Sequence, residues 1–163
     1  MITYKNGDLL ESKCDIICHQ VNLQGLFGGG LAYQIYRKFP NVEKNLQKAL
    51  NKDYGQVVCK NRFDLQFCGL RSGLQDDKKP QYIANIFSQD EYFNTKYDWL
   101  DKALTNLIKH IEKIESVLSI KTFGFPYGYG CGIANGKWEE VEKVLNKHFG
   151  KNSKYDCEIW KYK

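Results

Sequence analysis

Cys18-His-Gln-Val-Asn-Leu-Gln-Gly-Leu-Phe-Gly-Gly-Gly-Leu-Ala32 is the stretch on which the reading of this chain turns. It leaves an apolar, strand-like run, Asp15–Val21, passes through glycines and enters a helical pattern, Gly30–Phe39. The same passage recurs later, from the strand-like Leu118–Phe125 through Pro126-Tyr-Gly-Tyr-Gly-Cys-Gly-Ile-Ala-Asn-Gly136 into a helix over Lys137–Phe149. β-rich runs alternating with helical patterns predict α/β architecture. Ordinary turns need one or two glycines, because each adds to the entropy cost of folding. Three in a row opening a helix suggest a backbone that must approach something closely. A helix N-terminus beyond such a loop offers free N–H groups and a positive dipole end to an anion such as a diphosphate. On loop composition alone, phosphate binding and purely structural turns both stay open.

Neither loop fits the common nucleotide motifs. There is no G-x-G-x-x-G with a following acid, and Gly136-Lys137 leads to Trp138 rather than to Ser or Thr. A kinase, an NTPase and a Rossmann dehydrogenase are therefore disfavoured. Further candidate strands are Ile2–Lys5, Gln56–Lys60, Tyr82–Phe87 and Cys157–Tyr162, with a short one at Leu65–Cys68. Further helices are expected at Val42–Asn51 and Lys96–Glu115. In the latter, Leu100, Leu104, Leu107, Ile111 and Ile114 form one apolar stripe, and Thr95 is placed to cap its start.

A length of 163 residues implies one domain, 1–163, and no linker or repeat divides it. With 42% hydrophobic and 26% charged residues, the composition is that of a globular protein rather than a disordered one. No apolar run is long enough for an ordinary transmembrane helix, and Met1-Ile-Thr-Tyr-Lys-Asn-Gly-Asp8 lacks the apolar core of a signal peptide. A cytoplasmic, monomeric protein without a membrane partner is expected. The six cysteines include no C-x-x-C pair and read as reduced, mostly structural thiols. His19, His110 and His148 have no metal-ligand spacing, so no metal and no cofactor are expected. The net charge of +5 comes from lysines spread among acids, which predicts a solvated surface and at most a weak general attraction to polyanions.

The polar residues beside the loops are the candidates for chemistry. Asp8 follows Asn6-Gly7 at the end of the first strand and suits either a turn cap or an acceptor for an exocyclic amine. His19, Gln20 and Asn22 end an otherwise apolar strand, where they could read sugar hydroxyls or perform acid–base work. Cys131 lies among glycines with no adjacent histidine, so a nucleophilic role is disfavoured.

Taken together, these residues resemble a macrodomain, the ADP-ribose-binding module, along nearly the whole chain. The likeness lies in Gly7-Asp8-Leu9, in Asn22 with Gly28-Gly29-Gly30-Leu31-Ala32, and in Gly128-Tyr129-Gly130-Cys131-Gly132-Ile133 leading to Trp138. It implies a three-layer α/β/α sandwich around a mixed, mostly parallel central sheet. It also implies that Asp8 and the Leu9 amide recognise adenine, with Trp160 packing on it. Asn22 would contact the distal ribose, with Gln20 nearby. Gly28, Gly29, Gly30 and the Gly128–Ile133 segment would enclose the diphosphate and distal ribose, with Phe27 and Tyr129 placed as a gate.

Within that family, the Cys18–Pro40 stretch most resembles the branch of the yeast-type ADP-ribose 1″-phosphate phosphatase and small bacterial and phage macrodomains. His19 matches a histidine implicated in that phosphatase and is the catalytic candidate. The related glycohydrolases that remove terminal ADP-ribose from proteins use a lysine where this chain has Gln89, and a second acid where it has Ala134. The expected function is binding of ADP-ribose and hydrolysis of a small derivative such as the 1″-phosphate. The alternatives are a non-catalytic ADP-ribose reader, and a hydrolase acting on ADP-ribosylated protein or nucleic acid without the lysine.

Overall fold

The computed structural model describes residues 1–27, 29–52, 63–70, 80–90, 92–132 and 134–162. Among the described residues, six strands form one sheet: β1 (Ile2–Asn6), β2 (Ile16–Gln20), β3 (Phe63–Leu70), β4 (Pro80–Ile86), β5 (Thr122–Pro126) and β6 (Asp156–Lys161), in the order β1-β6-β5-β2-β4-β3. All neighbouring pairs are parallel except β3 with β4, so the sheet is mixed and mostly parallel as expected. Among the described residues, four helices cover it: α1 (Gly30–Lys38), α2 (Pro40–Lys52), α3 (Tyr97–Leu118) and α4 (Trp138–Phe149).

Alternation along β2 distributes the core. Ile16 and Cys18 face α3 and α4, whose Leu100, Leu104, Leu107, Val141 and Leu145 are fully buried. Ile17 and Val21 face the opposite way and pack with Ile35 of α1 and with Val42 and Leu46 of α2. Both faces are covered, which is why the parallel strands read as nearly continuous apolar runs.

Several boundaries differ from the sequence-based expectation. The helix α3 continues to Leu118, where Ser119 at φ 52° ends it, so β5 begins at Thr122 rather than at Leu118. A 3-10 turn, Leu9–Glu11, follows β1 with Asp8 as its cap, the turn-capping role open to Asp8 from the sequence. The short strand at Leu65–Cys68 belongs to a longer antiparallel edge strand, Phe63–Leu70. The strand expected at Gln56–Lys60 lies outside the described residues. Cys14, Cys18, Cys131 and Cys157 are free thiols, and among the described residues no helix is long and apolar enough to cross a membrane.

Candidate functional site

The site lies at the carboxyl ends of β2 and β5, where the chain departs to opposite faces of the sheet. After β2 it enters α1 on one side, and after β5 it enters α4 on the other. Adjacent parallel strands with such divergent exits leave a crevice between their loops. Here the crevice is a cleft of about 550 Å³.

Successive β2 side chains serve the two halves of this cleft. His19 turns to the α1 face, is 2% exposed, and packs edge-on against Phe27 with ring centroids 5.1 Å apart. Its Nε2 lies 2.5 Å from Asn85 Oδ1, while Nδ1 is buried with no hydrogen-bond partner. Asn85 Nδ2 in turn donates to Asp64 Oδ2 at 2.9 Å. Burial pulls the His19 pKa down to about 4, against the opposing effect of the Asn85 hydrogen bond, so the ring is neutral at pH 7. A neutral ring keeps one N–H as a hydrogen-bond donor and can act as a general acid only after it has taken up a proton. It also keeps a lone pair that can accept.

Gln20 turns to the α3 face. Its Nε2 donates to Thr95 Oγ1 at 3.0 Å and reaches Gln89 Oε1 at 3.4 Å, while its Oε1 accepts from Ser88 Oγ at 2.6 Å. Ser88 Oγ also bonds Tyr129 OH at 2.7 Å. Thr95 Oγ1 donates to the Gly130 carbonyl at 2.6 Å, and the Gly136 N–H meets that same carbonyl at 2.8 Å. Thr95 therefore clamps the second glycine loop instead of capping α3. A Cβ on Gly130 would stand 2.7 Å from Thr95 Oγ1, and its φ of +69° is left-handed as well. Glycine is obligatory there for packing alone.

The first loop is held from beneath. Asn22 Oδ1 accepts the Leu26 N–H at 3.0 Å, and Nδ2 donates to the Leu26 carbonyl at 2.9 Å, so the side chain closes its own turn. Glu43 of α2 accepts the Phe27 N–H at 2.6 Å, and Gln47 donates to the carbonyls of Gln24 and Gly25. Gly29 caps α1 with extended backbone, which any residue adopts, and no side chain bonds its free N–H groups.

Of the sequence-predicted residues, His19, Gln20, Asn22, Gly29, Gly30, Gly128, Tyr129, Gly130 and Gly132 line the cleft together. Gly28 and Ile133 lie outside the described residues. Phe27 and Tyr129 are only 3% and 2% exposed and locked by core contacts, so neither side chain is free to swing as a gate. Cys131 stands beside the cleft as a protonated thiol. Its Sγ donates to the Tyr129 carbonyl, and burial, with Glu139 nearby, raises its pKa.

Asp8, Leu9 and Trp160 stand apart from the cleft, at the carboxyl ends of β1 and β6. Asp8 Oδ1 caps the 3-10 turn through the Leu10 N–H at 2.9 Å, and the Leu9 side chain is core. Trp160 leans on Gly7 and donates to Glu158 at 2.8 Å. The residues not anticipated are Ser88, Asn85, Asp64 and Thr95, together with Leu26, Phe93 and Tyr127 at the rim. Asn85 did carry a signal, being an amide inside the apolar run Tyr82–Phe87.

No protein-family model matches the chain. A DNA ADP-ribosyl glycohydrolase of Mycobacterium tuberculosis (strain ATCC 25618 / H37Rv) is 29% identical over 163 residues, covering 98% of this chain. The chain spans only 42% of that relative's length. The ADP-ribose 1″-phosphate phosphatase of Lodderomyces elongisporus is 29% identical over 157 residues, covering 90% of this chain and 91% of the yeast protein. Among solved structures, the macrodomain of Mycobacterium tuberculosis DarG aligns with a TM-score of 0.77 at 28% identity, covering 98% of this chain and 97% of that one. Similarity over that extent gives this chain the macrodomain fold.

Proposed function

We propose that the chain binds ADP-ribose in the cleft and hydrolyses ADP-ribose 1″-phosphate to ADP-ribose and phosphate. The observation that carries this reading is the pair Gly29 and Gly132, on opposite lips of the cleft. A Cβ on either would meet nothing within 4 Å, and neither has a left-handed φ. Neither backbone nor packing demands glycine there, whereas a ligand lying against the main chain would. Backbone N–H groups at the start of α1 supply charge-stabilising donors to a diphosphate without any cation. Among the described residues, no lysine, arginine or carboxylate lines the cleft.

Beyond the cleft, Asp8 Oδ2, with no donor among the described residues, would accept from an adenine amine, and Trp160, which lies against the neighbouring Gly7, would pack on the base. In the hydrolytic step, His19 Nδ1 takes a proton from water as its oxygen bonds to phosphorus. The P–O1″ bond breaks, and the same proton passes to the departing 1″-oxygen. Gln89, where a lysine would serve a covalent route, hydrogen-bonds to Gln20 and offers no amine.

The test is phosphate release from ADP-ribose 1″-phosphate by the purified chain, with calorimetry against ADP-ribose and AMP. Release that His19→Ala lowers at least about tenfold, with AMP bound at least about tenfold more weakly than ADP-ribose, is the expected result. Binding without release reduces the chain to a reader, and no binding removes the assignment. A second reading, release of ADP-ribose from nucleic acid, draws on the mycobacterial relative and on the exposed rim of Leu26, Phe93 and Tyr127. Turnover of ADP-ribosylated DNA in preference to the monoester would favour it.

A further inference from the structure

We propose that Asp64 and Asn85 are positioning residues that fix which ring nitrogen of His19 carries its proton. The inference deepens the hydrolytic reading and rests on it for its kinetic consequence alone. His19, Asn85 and Asp64 are register partners on β2, β4 and β3, so their side chains form one row across the α1 face of the sheet. Asn85 is fully buried and bridges the other two, at 2.5 Å to His19 Nε2 and 2.9 Å to Asp64 Oδ2.

The direction of the row follows from donor and acceptor chemistry. A carboxylate accepts and does not donate, so Asp64 draws the Asn85 NH2 towards itself and leaves Oδ1 facing His19. That oxygen accepts only, so the single proton of the neutral imidazole stays on Nε2 and the lone pair on Nδ1. Reversing the amide would set its carbonyl against the Asp64 carboxylate, a repulsion that burial strengthens. A carboxylate on the edge strand thus chooses the tautomer of a ring two strands away. Nδ1, buried without a partner, is left as the nitrogen able to take a proton from a group in the cleft.

The experiment reads the His19 ring nitrogens by long-range 1H–15N spectra of the whole labelled chain at pH 7, alongside kinetics on ADP-ribose 1″-phosphate. The wild type is expected wholly as the Nε2–H tautomer. Asp64→Asn, whose amide can donate or accept, is expected to give mixed tautomers, and Asp64→Glu to restore Nε2–H. Asp64→Asn should lower kcat about tenfold or more while leaving KM and ADP-ribose affinity within about twofold. A wild-type ring protonated on Nδ1, an Asp64→Asn ring still wholly Nε2–H, or a shifted tautomer with unchanged kcat overturns the proposal. Tautomers as expected with no phosphate release by the wild type would instead remove the hydrolytic reading and leave the positioning of His19 intact.

Discussion

At the scale of single residues, the glycines of the two loops divide into those the fold requires and those it does not. Gly130 sits at φ +69° with Thr95 Oγ1 in the place of a side chain, so Gly130→Ala should cost about 1–3 kcal/mol of stability. Gly132 faces open space, so Gly132→Val should leave stability within about 0.5 kcal/mol of wild type. ADP-ribose affinity should nonetheless fall about tenfold or more, because the new methyls fill room the ligand needs. Urea denaturation and calorimetry on the two variants separate these outcomes. Unchanged affinity in Gly132→Val would show that the ligand does not approach that lip. Asn22 is similar in kind to Gly130, since both polar atoms of its side chain serve its own loop whether or not a ligand is bound.

At the scale of elements, the second loop depends on its neighbour across the cleft floor. Gln20 from β2, Ser88 beyond β4 and Thr95 ahead of α3 converge on the Gly130 carbonyl and the Tyr129 hydroxyl. Thr95→Val keeps the shape of the side chain and removes its hydroxyl, leaving the Gln20 amide and the Gly130 carbonyl each short of a partner. A loss of about 1–3 kcal/mol is expected. Faster amide exchange at Gly136, whose N–H shares the Gly130 carbonyl, should accompany it. Exchange unchanged at Gly136 would show that the loop holds without Thr95. The helices are tied to each other too, where Asp101 near the start of α3 meets Lys147 and His148 near the end of α4 at 2.7 and 2.6 Å. Hydrogen bonds, that from Lys147 first, hold its carboxyl below the usual range.

At the scale of the whole molecule, a buried histidine ties stability to pH. His19 has a pKa of about 4 in the fold against 6.5 in an open chain, so the unfolded state binds its proton at higher pH. Its neutral form is accommodated in full above about 6.5, and stability falls as pH drops from there towards 4. The loss across that window is about 3 kcal/mol. His19→Gln, which cannot titrate, should lack this component in urea midpoints measured from pH 7 to pH 4. Parallel profiles for the two proteins would place the acid sensitivity elsewhere. The net charge of +5 has no comparable focus, since the described lining of the cleft holds no charged side chain. Among the described residues, backbone dipoles are what the cleft would offer an anion.

Period-two and period-3.6 patterning was enough to read the α/β class, and every one of the four helices was legible from it. The two glycine loops stood out because their composition exceeds what a turn needs, and residues of both line one cleft. Local sequence also carried the polar end of β2, since His19, Gln20 and Asn22 interrupt an apolar run. What it could not carry was pairing. Asp64 lies 45 positions from His19 in the chain, yet the order β2-β4-β3 and its register bring them into one row. In the same way, Thr95 looks like a helix cap until the sheet sets Gly130 beside it. Strand order and register are settled by long-range packing of both sheet faces, and that information is spread over the whole chain rather than held in any one stretch.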